Sequence, residues 1–419
     1  MYWENVNAKL SFVSRQMLVK ILQHIPISSE IIGPPKGYYL LTSDWISQVA
    51  NQPQRQEQVS YKEIHCSHTI YRRKPKTLDE NIYWKFRTFD RYNAPTTFVA
   101  TVPNGRVLSF SGSVITPDDK LLADVSVEFI SDLKFHSVFN KLKLPVAEKI
   151  NGTVAVLAAT GGETFYHFMF DVLPRIYLIE QSGIDLDEID YFLVNSYQMS
   201  FHQEMLDLWG ISVGKIIESC KYPHIKADKL VVPSLPSIVG NPTNWVCEFL
   251  RKKFLQEKVE YRCSWEKAES KMPVKSTRSY SQTRLYISRS QAKVRRVLNE
   301  DKVLKIAVKF GFESIVLENL SVASQVQLFA SAKVIIAPHG AGLSNLVYCE
   351  PQTKIIEIFS PNYVNIMYWC ISNILNLDYY YLMGEGERPP DYVDPIAIAD
   401  DIMVNLDSLL IIMKTAGIE

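Results

Sequence analysis

Apolar residues are arranged in three successive ways along the chain. Across residues 1–95, tryptophans, tyrosines and prolines are scattered without a clean period, and the run Tyr71-Arg72-Arg73-Lys74-Pro75-Lys76 reads as a solvated basic loop. Across 96–150, the segments TTFVATV, RVLSFSGSVIT and SVEFI are rich in β-branched and aromatic residues. Asn104-Gly105 and Pro117-Asp118-Asp119 punctuate them, which predicts hairpins. From residue 151 short apolar runs alternate with helical stretches. TVAVLAA (153–159) is continuous enough for a strand buried on both faces. An apolar helix then runs from the Thr160-Gly161-Gly162 turn to near Gly183. DYFLVN, GKIIE and DKLVVPS read as further strands, and residues 243–259 as an amphipathic helix.

Residues 261–283 are polar, without apolar rhythm, and read as a linker. Beyond them the alternation restarts. RLYISR (284–289), SIVLEN (314–319), KVIIA (333–337), KIIEIF (354–359) and DYYYL (378–382) are strands. Helices are expected at 299–310 with Gly311 past its end, from the Ser321 cap to about Ser331, at 341–348 and at 363–376. Strand–helix alternation with short connections implies parallel sheets with right-handed crossovers. The expected fold is therefore α/β: two Rossmann-like domains, 151–260 and 284–394, facing a cleft. An N-terminal β-rich extension precedes them, with residues 1–95 of unread fold and a hairpin region at 96–150. A C-terminal helix at 395–419 closes the chain.

The composition is that of a globular protein, with 47% hydrophobic and 21% charged residues, which excludes a mainly disordered chain. The 419 residues suggest two or three domains. With 45 basic and 45 acidic residues the net charge is zero, so the excess of a general nucleic-acid binder is missing. No apolar run is long enough for a transmembrane helix, and the N-terminus does not read as a signal peptide. Six cysteines at wide spacing, with no CxxC pair, favour buried thiols in a reducing, cytoplasmic setting over a disulfide scaffold or a structural zinc site.

Ligands of open α/β sheets bind beyond the carboxyl ends of the strands, so chemistry is sought there. Pro338-His339-Gly340-Ala341-Gly342-Leu343-Ser344-Asn345 directly follows the strand KVIIA. Two glycines allow close backbone approach, and the N–H groups of the following helix form a ready site for a phosphate or diphosphate. The turn has neither the G-x-G-x-x-G spacing nor a P-loop lysine. The alternative is a tight turn needing glycine for positive φ. Arg289 ends the first strand of this half, with Arg295 and Arg296 following, and guanidinium groups match phosphate oxygens. The alternative there is a solvated basic loop.

Glu163, His167, Asp171 and Arg175 are spaced four apart, which places them on one face of an otherwise apolar helix. A His–Asp pair orients a general base, and Asp171 is the first choice, His167 the second. Arg175 would orient Asp171 by ion pairing, and Pro174 would kink the helix. A self-satisfied ion stripe is the alternative. Asp185-Leu186-Asp187 formally matches a metal motif but sits in an acidic loop, and His65-Cys66-Ser67-His68 has no second ligand pair. Glu357, inside KIIEIF, would either bond a ribose hydroxyl or be paired within the sheet.

GGETFYHFMFDVLPR (161–175), YISRSQAKVRRVLNED (286–301) and VIIAPHGAGLSNLVYCEPQTKIIEIFSP (334–361) resemble glycosyltransferase family 61, whose bacterial members are described as capsular polysaccharide biosynthesis proteins. The resemblance spans roughly 97–385. It implies a GT-B fold and inverting transfer of a sugar from a nucleotide-sugar donor to a hydroxyl of a glycan or glycolipid acceptor, in polysaccharide biosynthesis. The family's motif positions fall on Gly161, Gly162, His167, Asp171, Pro174 and Arg175. They continue at Ser288, Arg289, Arg296 and Asn299, and end at His339, Gly340, Ala341, Gly342, Leu343, Asn345 and Glu357. Thr164 stands where the family often has asparagine, which bears on any acceptor contact there.

The C-terminal half would then hold the donor through Arg289, Arg295, Arg296, Asn299, the 339–345 turn and Glu357. The N-terminal half would hold the acceptor along Gly161, Gly162, Thr164 and Arg175, with Glu163, His167 and Asp171 as catalytic candidates. No cofactor or metal is expected beyond the nucleotide-sugar co-substrate, and no nucleic-acid partner. The expected setting is the cytoplasm, including the inner face of a membrane, where peripheral membrane contact is compatible. Two other readings remain open: a nucleotide-sugar epimerase of similar architecture, and a non-catalytic nucleotide- or glycan-binding module.

Overall fold

A computed structural model describes residues 17–50, 59–108, 110–130, 132–256 and 283–419. Most of the expected linker lies outside the described residues. The chain divides into two compact units, one drawn from 1–67 and 96–236, the other from 68–95 and 237–419. Among the described residues no helix is long and apolar enough to cross a membrane.

The first unit is built on a ten-stranded mixed sheet. Its parallel part runs Ile216–Glu218, Tyr191–Val194, Glu148–Val156, His224–Pro233. In chain order this is 3-2-1-4, so the order reverses between Glu148–Val156 and His224–Pro233. The ten-residue strand His224–Pro233 is long enough to serve two neighbours on its other side. Lys226 to His224 pair antiparallel with Arg106–Leu108, and Lys229 to Pro233 pair antiparallel with Thr97–Pro103. The expected hairpin region is therefore no separate layer. Its strands continue the α/β sheet, together with Gly37–Tyr39 and Ser60–His65 from the N-terminal segment. Both faces are apolar: Val102, Val154, Val156, Leu193 and Leu230 form a core on one face, and Val99, Ala155, Phe192, Val194 and Val231 are buried on the other.

The second unit has a five-stranded, wholly parallel sheet in the order Phe312–Ile315, Thr283–Ile287, Ala332–Pro338, Lys354–Phe359, Asp378–Met383. That is 2-1-3-4-5, a doubly wound order whose switch point falls between the first and third strands. Ser321 caps Val322–Ser331 by accepting from the Ser324 N–H, and Gly311 takes φ +75° just past Glu300–Lys309, as the sequence predicts.

Residues 68–95 belong to this unit rather than to an N-terminal extension. Phe86 is buried against Trp369 and Tyr381, and the indole of Trp369 donates to the Arg73 carbonyl. The basic run is thus only partly solvated, because Arg72 is buried with its guanidinium over the rings of Tyr92 and Trp369. The last helix covers only Leu406–Thr415, and the residues ahead of it form turns and irregular chain, with Ile402 bridging to Val297. Cys247, Cys349 and Cys370 are buried as expected, but Cys66 and Cys220 are exposed.

Candidate functional site

In the first unit, the strand Glu148–Val156 leads into Leu157-Ala158-Ala159 and the Gly161-Gly162 turn. Gly161 takes φ +77°, a left-handed conformation that favours glycine, and a Cβ there would sit 2.7 Å from the His167 ring. A Cβ on Gly162 would sit 2.1 Å from Oδ1 of Asn195. Both glycines are required by close approach. Asn195 ends the neighbouring strand and ties this edge together. Its amide donates to the carbonyls of Phe110 and Ala159, and its Oδ1 accepts from the Ala159 N–H.

The expected four-residue stripe does not form on one helix. Glu163 precedes the helix, which begins at Phe165. Residues Phe168–Val172 are wound as a π-turn, immediately ahead of Leu173–Ser182, where Pro174 lies in the first turn and lacks the N–H that an α-turn would use. His167 and Asp171 remain neighbours: Nδ1 of His167 is 2.7 Å from the Asp171 carboxylate. Asp171 is sealed, with 2% of its side chain exposed against 16% for His167. The accessible atoms of the pair therefore belong to the imidazole.

Arg175 makes no hydrogen bond to Asp171. It is fully buried, and it donates to the carbonyls of Ala158 (2.7 Å) and Pro233 (2.6 Å). These residues end the two strands between which the sheet order reverses. The guanidinium closes the switch point by satisfying backbone carbonyls that burial would otherwise leave unpaired. Burial lowers its pKa to about 9, with Asp171 acting in the opposite direction.

Thr164 is exposed and donates its hydroxyl to the Gly161 carbonyl, so it supports the turn. His202 receives no signal from spacing or motif. It is buried against Phe168 and Phe201, 3.2 Å from the Glu163 carbonyl, and burial holds its pKa down at about 4. Asp185 accepts from the Asp187 N–H and caps a short turn, and among the described residues no three His, Cys, Asp or Glu side chains converge as metal ligands.

In the second unit, a small pocket of about 30 Å³ opens at the switch point. Ile287, Ser288 and Arg289 line it from the first strand's end, Leu317 and Glu318 from the second's, and Pro338, Gly340, Gly342 and Leu343 from the third's. Neither glycine of the turn has a left-handed φ. Gly340 is extended at φ 177°, and its Cβ would lie 1.9 Å from Nη1 of Arg289. A Cβ on Gly342 would lie 2.5 Å from Leu317. Close packing against the ends of two side chains, rather than backbone freedom, favours glycine here.

Arg289 donates from Nε to the Arg295 carbonyl and from Nη2 to the Val294 carbonyl, which leaves Nη1 beside Gly340. Partial burial lowers its pKa, and the nearby Arg295 charge adds to the shift. Both effects make an anion a favourable neighbour.

The other expected donor ligands are engaged elsewhere. Arg296 is exposed and pairs with Asp401 at 2.6 Å. Arg295 donates to the carbonyls of His339 and Ile398 and lies over the Tyr363 ring. Asn299 brackets Val404, donating to its carbonyl and accepting from its N–H. Asn345 is buried and donates to Gln325 and to the Gly342 carbonyl, which fixes the turn.

Ala341 begins the 3₁₀ helix Ala341–Tyr348 but is not among the lining residues. His339 and Glu357 are buried against each other, with Nδ1 2.5 Å from Oε1, and Tyr379 donates to the second carboxylate oxygen. Burial pushes the imidazole's pKa down and the carboxyl's up, so each leans to its neutral form. Of the two readings of Glu357, the sheet-paired one holds, and its carboxylate has no free oxygen for a ribose.

The Glycosyltransferase 61 family model matches residues 165–356. Among curated proteins, a stretch of 81 residues is 32% identical to beta-1,2-xylosyltransferase RCN11 of Oryza sativa subsp. japonica, covering 19% of this chain and 15% of that protein. A stretch of 101 residues is 31% identical to beta-1,2-xylosyltransferase of Arabidopsis thaliana, covering 24% and 17%. The chain thus spans about a sixth of the length of these relatives. Among solved structures, a D-isomer specific 2-hydroxyacid dehydrogenase family protein from Aeromonas salmonicida subsp. salmonicida A449 aligns at 10% identity over 61% of this chain and 89% of that one. Its TM-score of 0.19 is too low to support an argument. The matched segment, a little under half of the chain, takes in both the His167–Asp171 pair and the Arg289 pocket, so both candidate sites lie in the part of the chain that is similar to glycosyltransferase family 61.

Proposed function

We propose that this chain is an inverting glycosyltransferase of the GT-B type, moving a sugar from a nucleotide-sugar donor to a hydroxyl of a glycan or glycolipid. The observation that carries the reading is the Nη1 face of Arg289, held beside a glycine in the pocket at a doubly wound switch point. A donor diphosphate bound there meets the Arg289 guanidinium directly and the leading N–H groups of Ala341–Tyr348. These positive groups stabilise the charge that grows on the diphosphate as it leaves. The chemistry thereby asks for no resident cofactor.

Displacement also needs a base on the acceptor hydroxyl. His167 fills that role in this reading. Asp171, buried and bonded to Nδ1, orients the ring and leaves Nε2 to take the proton. This inverts the order of preference drawn from the sequence, because Asp171 is too enclosed to reach an acceptor. The acceptor belongs to the first unit and the donor to the second. The names of the plant relatives, both beta-1,2-xylosyltransferases, make a nucleotide-linked xylose the first donor to assay. Polysaccharide assembly in the cytoplasm, at a membrane's inner face, is the setting that suits a glycolipid acceptor.

The test is a transfer assay with parent, His167→Ala and Asp171→Asn chains, each also titrated with nucleotide. A positioned base contributes about 10²–10⁴-fold, so transfer should fall by that factor while nucleotide affinity holds. Transfer within tenfold of the parent in both variants removes the pair from the chemistry.

A further inference from the structure

The second unit's pocket has a wall that phosphate binding does not use. Three strand ends line up along one sheet edge: Phe312–Ile315, Thr283–Ile287 and Ala332–Pro338. Because the strands are parallel, all three carboxyl ends point the same way. Neighbouring strands are about 4.8 Å apart, so the row from Gly340 through Arg289 to Glu318 covers roughly 10 Å. The row is graded in charge. A glycine turn with free N–H groups stands at one end, a guanidinium in the middle, and the exposed carboxylate of Glu318 at the other. Glu318 is near enough to Arg289 to favour its positive charge. Leu317, Ile287 and Leu343 complete the wall with apolar surface.

A carboxylate at that end repels a second anion and accepts hydrogen bonds, so the ligand there must present uncharged donors. Vicinal hydroxyls meet that demand, and either the nucleotide's ribose or the transferred sugar carries them. Two considerations favour ribose. The span fits a ribose next to a phosphate. In addition, Glu318 lies in the short 3₁₀ turn Leu317–Asn319 that follows the second strand, beside the first, and an acidic residue past that strand is what meets a ribose hydroxyl in doubly wound dinucleotide-binding folds.

We propose that Glu318 is the ribose-recognising residue of the pocket, and that through it the protein selects ribonucleotides over 2′-deoxyribonucleotides. The inference rests on the nucleotide-site reading above. It deepens that reading, because nothing about the family similarity or the Arg289 pocket requires Glu318 to take part.

Calorimetric titration tests it with ADP, CDP, GDP and UDP, each against its 2′-deoxy counterpart, on the parent, Glu318→Ala and Arg289→Ala chains. Glu318 is exposed, so its substitution leaves the fold intact. For the diphosphate that binds best, the parent should prefer the ribo form by about tenfold or more, the worth of a hydrogen bond to a charged group. In Glu318→Ala the preference should collapse to near unity through loss of ribo affinity alone. Arg289→Ala should weaken both forms equally. Binding that depends on Arg289 but keeps its ribo preference in Glu318→Ala overturns the ribose assignment and spares the nucleotide site. So does a Glu318→Ala defect confined to nucleotide sugars, since the diol would then be the transferred sugar's. No binding of any diphosphate overturns both.

Discussion

Each unit of the molecule places an arginine at the point where its sheet order reverses, and the two arginines do opposite things. Arg175 is fully buried, and its two terminal nitrogens are taken by the carbonyls of Ala158 and Pro233. Arg289 is half-buried, and its two carbonyl bonds go to its own loop, so one nitrogen faces a pocket. The difference lies in the partners. Where the donors close on strand-end carbonyls, the switch point becomes a seal and chemistry moves outward to His167. Where they close on a local loop, the switch point stays open to ligand. A residue type at a topological position therefore does not define a site until its hydrogen bonds are counted.

The largest effect that can break this comparison is on stability. Arg175→Met leaves two buried carbonyls without donors, which should lower the unfolding free energy by about 3–5 kcal/mol. Arg289→Ala should change it by less than about 1 kcal/mol. Chemical denaturation of both variants measures this, and similar losses would mean that both arginines are structural. Next in size is nucleotide affinity. Arg289→Ala should weaken binding by about 1.5–3 kcal/mol, read by calorimetry.

Gly340→Ala sharpens the point, because the new methyl would occupy the place of Arg289 Nη1 and push away the end of a flexible side chain. The variant should fold with near-parental stability and lose part, not all, of the affinity lost in Arg289→Ala. Full parental affinity would show that the placement of Nη1 is immaterial.

The smallest effect is one of pH, and it belongs to the first unit. Burial holds His202 at about 4, below the ordinary 6.5. Between those values the unfolded chain binds the proton and the folded chain does not. The contribution of His202 is therefore complete above pH 6.5 and is lost as pH falls toward 4. The urea midpoint should drop between pH 7 and 5, and His202→Phe should flatten that slope. An unchanged slope in a folded variant would assign the acid sensitivity elsewhere.

Much of the second unit was legible because each strand is a short apolar run with punctuation at both ends, and its pairing follows from right-handed crossovers. Its pocket could be sought at the strand ends before any coordinates. The wide sheet of the first unit was not legible. Val99 pairs with Pro233 and Ile225 with Glu148, and a strand's own sequence shows which faces it buries but not which distant strand it meets. The same limit applied to the charged residues. Arg289 and Arg296 look alike in SRSQAKVRR, and only Asp401, 105 residues away, takes Arg296 out of the pocket. Asn195 carried one usable signal, a polar residue closing an apolar strand at its carboxyl end, and Glu318 carried the same one.

The π-turn at Phe168–Val172 has a consequence for how the first unit can be altered. A π-turn holds one residue more than the α-turn it replaces, so part of the geometry is encoded by residue count rather than residue type. Removing any one residue there would let the segment rewind as α-helix. Everything on its amino-terminal side would then turn by about 100° relative to Leu173–Ser182. The imidazole of His167 would swing off its axis while Arg175 kept its seal. No substitution can make that change, so insertions and deletions, more than point changes, set the direction in which the His167 imidazole faces.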